Sequence, residues 1–425
     1  MKQSQCLALS SLLRNKTSFP TNPSFISSLV SYFSLQESTI HPQCIVSPET
    51  ASDVSLAVET LTSLYVDLKD DAKKECQFAI RSGGHTAWAG SANIEGAKAT
   101  VSLGASGSWN LVYSKLDAMN LSVNGGRTAG VGIAGLNTIV NLELVLADGA
   151  IINANGNENP DLLWALRGGS NNFGIVTRID MQTFEQGPIY ATYDEFAHLT
   201  LTWGFSAAAG LVVVNQLEYS KPIQEPPIFA NIRSLPVLFG TDGISNVTQL
   251  SKDLRDQAGS GQRIFWNMLT FVSTEAAINI TFFRFNESIP SIAGVSGIVS
   301  SLTLEPLPPA LYARHQASNA LGFDHREHMY QSLVVTLLSV SYTSANDDQI
   351  VETYGRSLMD AITQDLKKLN AFDPYLYLNY AAPYQDPRSS YTEANVRRLR
   401  QIAAKWDPHG IFQYQAPGGF KLFTH

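Results

Sequence analysis

A chain of 425 residues is long enough to bury a sizeable core and to divide into two domains. Hydrophobic content of 44% with 16% charged residues is that of a folded globular protein and excludes a disordered one. A formal net charge of -8 speaks against nucleic acid as a partner, and no apolar run approaches the ~18 residues that span a bilayer.

Residues 1–45 read as irregular structure with short helical pieces. The stretch 1–13 carries one lysine and an apolar patch broken by serines, too weak a pattern for a signal peptide. Three cysteines are too few for a disulfide framework and lack metal-ligand spacing. Cys76 reads as a small core residue, and pairing of Cys6 with Cys44 stays open. Glycosylation triplets at Asn15, Asn120, Asn246, Asn279 and Asn286 are about as many as chance supplies. Compartment is open too: secretion if a signal peptide is missing from this chain, the cytoplasm otherwise.

Ser47-Pro48-Glu49 is expected to open a helix, with serine as cap and proline in the first turn. Val54, Ala57, Val58, Leu61 and Leu64 form its apolar stripe. Phe78-Ala79-Ile80 then reads as a buried strand leading into Arg81-Ser82-Gly83-Gly84-His85-Thr86-Ala87-Trp88-Ala89-Gly90-Ser91. Gly83 and Gly84 remove side chains and permit positive φ, so successive N–H groups can converge on a phosphate beside His85. The bland alternative is a glycine turn between strands with a surface histidine.

Ala99 to Ser108 reads as short strand and turn, and Trp109 to Met119 as a helix. The strip Asn124 to Gly135 holds a formal GxGxxG, Gly130 to Gly135. A dinucleotide fingerprint needs a helix after it, but Asn141 to Leu146 already reads as a strand, which disfavours an NAD site. A second close-approach strip against an extended ligand fits better. Residues 141–147 and 150–154 form a hairpin across Asp148-Gly149. Asn159-Pro160-Asp161 caps a helix that ends at Gly168-Gly169. Ser170 to Thr177 leads into a strand, where Gly174 is expected to let a ligand approach the backbone of Ile175 and Val176.

Residues 192–370 alternate strand-like runs, such as Gly210 to Val214 and Leu333 to Leu338, with helical stretches. They read as core strands of a second antiparallel sheet covered by helices. His315, His325 and His328 lack partner carboxylates or thiols and read as solvated surface, so no metal is assigned. Pro374 to Tyr380 alternates as a strand does, with Tyr375, Tyr377 and Asn379 on one face and Leu376, Leu378 and Tyr380 on the other. Tyrosines that merely wrap a strand are the alternative. A helix from about Thr392 to Trp406 turns Val396, Leu399, Ile402 and Ala403 inward and stops at Asp407 to Gly410.

Five ordered blocks, RSGGHTAWAG, NGGRTAGVGIAGL, VLADG, NPDLLWALRGGSNNFGIVTRI and YLYLNYA…DPHGIF, together resemble the fungal berberine-bridge-enzyme-like oxidoreductases, within the vanillyl-alcohol-oxidase group of FAD enzymes. The resemblance implies an α+β, two-domain PCMH-type FAD-binding fold with an antiparallel-sheet substrate domain. The FAD domain would be residues 1–190 (core about 40–187), the substrate domain 191–370, and 371–425 would return to the first domain. It implies FAD contacts from Arg81, Ser82, Gly83, Gly84, His85, Thr86, Gly90 and Ser91, from Gly126, Gly130 and Gly132, from Gly174, Ile175 and Val176, and from Asn379 and Tyr380. His85 would carry the flavin covalently. The cysteine that makes a second link in some members is replaced here by Arg127-Thr128-Ala129.

The implied activity is oxidation of a small organic molecule, such as a secondary-metabolite intermediate, by hydride transfer to FAD with O2 as acceptor. Tyr377 is the expected base, matching the family's Tyr-x-Asn, with Tyr375 as fallback. The chain also departs from the family: about twenty residues after Leu136, and a shorter stretch after Gly96, have no counterpart. A catalytically impaired flavin- or ligand-binding remnant is therefore the rival reading.

Overall fold

The computed structural model describes residues 2–63, 65, 73, 76–93, 99–102, 109–119, 121–123, 139–181, 184–185, 197–221, 223–240, 242–258, 261–312, 316–323, 326–328 and 330–423. Expectations for 124–138, including Gly126, Gly130, Gly132 and the Arg127-Thr128-Ala129 positions, lie outside these residues, as do those for Leu64, His315 and His325.

The first 45 residues are more ordered than their composition suggests. Helices Lys2–Leu12 and Pro23–Val30, a one-turn helix Leu35–Ser38, and the strands β1 (Thr17–Ser18) and β2 (Ile45–Val46) fill them. The open pairing resolves into a Cys6–Cys44 disulfide, which ties the first helix to the start of β2. The next helix, Ala51–Thr62, is capped by Thr50 and not by Ser47. Thr50 Oγ1 accepts from Asp53 N, while Asp53 returns a carboxylate to the Thr50 N–H. That reciprocal box needs an acid three residues on, and Ser47 has Thr50 there. Its stripe Val54, Ala57, Val58 and Leu61 buries against Phe78, Val145, Ile175, Ile411 and Phe412.

Strands β3 (Phe78–Arg81) and β4 (Ala99–Ser102) join β1 and β2 in a four-stranded sheet ordered β1-β2-β4-β3, with β2, β4 and β3 parallel. After helix Trp109–Asp117, β5 (Leu121–Ser122) pairs with β9 (Phe184–Glu185). Between them β6 (Ile139–Val145), β7 (Ile151–Asn155) and β8 (Ile175–Met181) make an antiparallel sheet, with the hairpin turning at Asp148-Gly149 as its sequence implies. Helix Pro160–Leu166 follows, but Asn159 does not cap it: the residue sits at φ 50° and its amide donates to Asn153 O instead.

Among the described residues, the second half is built on a six-stranded antiparallel sheet, ordered β11-β10-β13-β14-β12-β15. Its strands are β10 (Ala197–Ser206), β11 (Gly210–Tyr219), β12 (Arg263–Val272), β13 (Val299–Leu307), β14 (Leu333–Tyr342) and β15 (Phe372–Asp373). The Leu333 to Leu338 run is core, as expected, but Gly210 to Val214 forms the sheet edge, where Leu211, Val213 and Val214 are exposed. Helices Glu275–Ser288 and Asp348–Lys368 cover one face through contacts such as Trp203 on Phe282 and Ser300 on Tyr354. Strand alternation turns Thr202, Thr303, Glu305, Trp266 and Met268 to the other face, where Thr202 and Thr303 share a hydrogen bond of 3.0 Å.

The C-terminal segment serves both halves. Phe372 and Asp373 extend the second sheet, and Tyr375 and Ala381 pack in its core. Helix Glu393–Trp406, capped by Thr392, then places Leu399, Ile402 and Ala403 with Leu162, Trp164 and Phe173 of the first half. Gln415 seals that half, donating to Leu61 O and Cys76 O.

Candidate cofactor and active site

The buried strand β3 ends at Arg81, and the chain enters the glycine loop where it leaves the sheet. Gly84 takes φ 66°, the left-handed region, and a Cβ there would stand 2.8 Å from Arg81 Nε and 3.0 Å from Tyr32 Cδ1. Among the described residues, the backbone N–H groups of Gly83, Gly84, His85 and Thr86 meet no acceptor. Four consecutive unpaired donors around a positive-φ glycine form a cradle for an anion, which fits the pyrophosphate of FAD. The rest of the loop is braced. Arg81, expected at the cofactor, instead sends its guanidinium back to Ser28 O at 2.6 Å and Ser31 Oγ at 2.8 Å, beneath the Tyr32 ring. Ser91 N is likewise committed, to Glu37 Oε1 at 3.0 Å.

Glu37 and Phe33 had no sequence signal, because their burial comes from contacts far along the chain. Glu37 is 0% exposed, and its carboxyl is pushed up to about 7, mainly by burial, against the pull of backbone N–H donors at 90–92 and of Arg81. Phe33 stacks on the His85 imidazole with ring centroids 3.9 Å apart and 20° between planes. Burial lowers His85 to about 4, so the ring is neutral at physiological pH.

From Phe33 an aromatic line runs into the second sheet. Trp266 lies 5.7 Å from Phe33, Tyr380 6.2 Å from Trp266, and Tyr377 4.9 Å from Tyr380. The predicted strand at 374–380 is not one: pairing stops at Asp373 and the chain turns at Leu378 to Tyr380. The turn still brings the expected pair together, with Asn379 Nδ2 donating to Tyr377 Oη at 2.8 Å. It also moves Tyr380 to the side of Tyr377, where its hydroxyl donates to Glu305 Oε1 at 2.8 Å. Tyr375 goes the other way. It is buried between Phe323 and the Arg326 guanidinium, and burial raises its hydroxyl well above the usual range, which removes it as a fallback base.

Gly174 is buried, and its missing Cβ would meet Leu144 Cδ1 at 2.8 Å and Val145 O at 2.9 Å. The close approach it permits is therefore to β6, a correction to the expected ligand contact on that side. Ile175 and Val176 pair with Val145 and Leu144 as ordinary ladder residues. His328 is buried, not solvated, and among the described residues no group of three or more metal-ligating side chains gathers. The C-terminal loop was also missed: Gly418 lies so close to Gly90-Ser91 that a Cβ would stand 2.1 Å from Ser91 O, and Asn171 donates to Gly418 O.

No protein-family model matches the chain. It is 32% identical to the FAD-dependent monooxygenase CTB5 of Cercospora beticola, covering 99% of this chain and 92% of that protein. The chain belongs to the berberine-bridge-enzyme-like FAD-dependent oxidoreductases. Two solved structures carry the same PCMH-type fold at low identity: 6-hydroxy-D-nicotine oxidase from Arthrobacter nicotinovorans (TM-score 0.73, 16% identical, 96% of this chain and 97% of that one) and berberine bridge enzyme in complex with (S)-reticuline (TM-score 0.70, 13%, 98% and 99%). The chain is also 35% identical, over 96% of its length, to the protein named oligopeptidase PhomG' of Diaporthe leptostromiformis, of which it spans only 36%. The match to CTB5 runs over 492 positions although this berberine-bridge-enzyme-like chain has 425 residues, so the relative carries internal segments with no counterpart here.

Proposed function

We propose that the chain oxidises a small organic molecule, of the secondary-metabolite kind, by hydride transfer to FAD, with O2 as the electron acceptor. The carrying observation is the continuous line from His85 through Phe33, Trp266 and Tyr380 to Tyr377, which joins a cofactor cradle to a proton-accepting pair. FAD, when bound, supplies the two-electron acceptor, and the chain supplies position and proton removal. The amides of Gly83 to Thr86 hold the anionic part of the cofactor, and the neutral His85 imidazole offers a ring nitrogen for a covalent bond to it. Tyr377 Oη takes the O–H or N–H proton of the substrate. Asn379 Nδ2 donates to that oxygen and holds it in place. The Trp266 and Tyr380 rings stand edge-on beside the pair and wall one side of it. The name of the Cercospora relative, a monooxygenase, agrees with consumption of O2. The Cys6–Cys44 disulfide supports residence in an oxidising compartment.

Anaerobic mixing with candidate substrates tests this reading: the bound flavin should bleach, and O2 should restore its colour. A protein that binds flavin but never bleaches across phenolic, alcohol and amine substrates would instead be an impaired binding remnant. The internal segments that this chain lacks beside CTB5 favour that second reading. Flavin occupancy as purified separates them further, since a shortened cradle should leave it incomplete and thermal stability should then rise with added FAD.

A further inference from the structure

Five residues, Phe33 to Glu37, join the His85 loop to the second sheet. On the sheet side, Leu35 N donates to Gln262 O at 2.9 Å, and the Gln36 amide exchanges two hydrogen bonds with the Ile264 backbone, at 2.8 and 3.1 Å. On the loop side, Phe33 N donates to Gly84 O at 3.1 Å and its ring lies on His85. Glu37 Oε1 accepts from Ser91 N at 3.0 Å and from Ala92 N at 2.8 Å. Its Oε2 is buried and, among the described residues, meets no hydrogen-bond partner. A fully buried carboxyl with one idle oxygen is a costly way to brace a loop, which a neutral side chain could brace as well for stability alone.

We propose that Phe33 and Glu37 are positioning residues for flavin attachment at His85: Phe33 fixes the plane of the imidazole, and Glu37 fixes the backbone on the far side of the loop. The proposal rests on the covalent reading of His85. An imidazole free to rotate would rarely point its nitrogen along the bond to be formed, and misplacement by about 1 Å can cost on the order of a hundredfold in rate. Glu37 also gives attachment a pH dependence. Among the described residues, the groups that face it are the Arg81 guanidinium from β3, the Tyr32 hydroxyl from the turn after helix Pro23–Val30, and the amides of 90–92. Raised from its usual 4.5 to about 7, Glu37 binds its proton more tightly folded than unfolded. Its burial therefore costs stability as pH rises through about 7, while the anion formed there grips the amides more firmly.

The test uses the full chain, with FAD added to its flavin-free fraction, in Phe33→Leu, Glu37→Gln and unmodified forms. Acid-precipitated samples report attached flavin over time, and hydrogen–deuterium exchange reports the loop amides without cofactor. Each variant should slow attachment about tenfold or more. Glu37→Gln should also speed exchange at 91–92 and flatten the rise of attachment rate between pH 6 and 8, yet unfold no more easily than the unmodified chain at pH 8. Unchanged attachment in both variants overturns the proposal, as does a Glu37→Gln chain whose losses follow only from unfolding. Should the unmodified chain form no acid-stable flavin, the covalent reading fails by itself. Positioning is then read on loop exchange and on the Kd for dissociable FAD, and no change in either overturns it.

Discussion

The glycine loop and the face of the second sheet hold their groups by opposite means. The loop offers backbone amides beside His85, and the side chains of Arg81, Glu37 and Phe33 brace it. The sheet offers side chains, and strand register alone brings Thr202 to Thr303 and Trp266 to Ser339, a hydrogen bond of 3.1 Å. A backbone site is broken by adding atoms, and a side-chain site by removing them. Substitutions in the two regions should therefore fail differently, first in flavin content and second in rate.

The sharpest contrast comes from His85→Ala, which should abolish acid-stable flavin entirely while dissociable FAD still binds. Yellow acid precipitate from that variant would break the assignment. Next in size is the Cys6–Cys44 disulfide, which braces the loop half only. Closing a separation of 38 residues should contribute about 3 to 4 kcal/mol, so a Cys6→Ser/Cys44→Ser chain should unfold at clearly lower denaturant. On the sheet side, Tyr377→Phe should keep the full flavin content and slow anaerobic flavin reduction about a hundredfold. An unchanged reduction rate would move the proton to another acceptor. The smallest effect belongs to Gly84→Ala. An alanine at φ 66° costs about 1 to 2 kcal/mol, and its Cβ would press on Arg81 and Tyr32. Its thermal midpoint should fall by a few degrees and FAD should bind more weakly, with kcat per bound flavin unchanged.

Much of the loop half was legible, because its signals are local. The apolar strand β3, the glycines after it, the Asp148-Gly149 turn and the stripe of helix Glu393–Trp406 each declare themselves within a dozen residues. What was missed is long-range. Phe33 and Glu37 gain their roles from residues about fifty positions on, and Trp266 and Glu305 look like any strand residues until register aligns them. The Tyr375 to Tyr380 error has a physical cause. Period-two alternation implies a strand only where a neighbour offers a ladder, and β12 pairs no further than Asp373. Family likeness rescued the Tyr377–Asn379 pair for another reason than the strand face, since a turn brings the two together.

The Gln415 seal sets the timing of biosynthesis. Its amide reaches back 354 residues to Leu61 and 339 to Cys76. At ribosomal speeds of roughly 5–20 residues per second, the first half waits about 20 to 70 seconds for the residue that completes it. During that interval Cys6 and Cys44, only 38 residues apart, can already be joined. The nascent chain is thus stapled early and closed last, and an unfinished first half must be kept from aggregating until its final turn emerges.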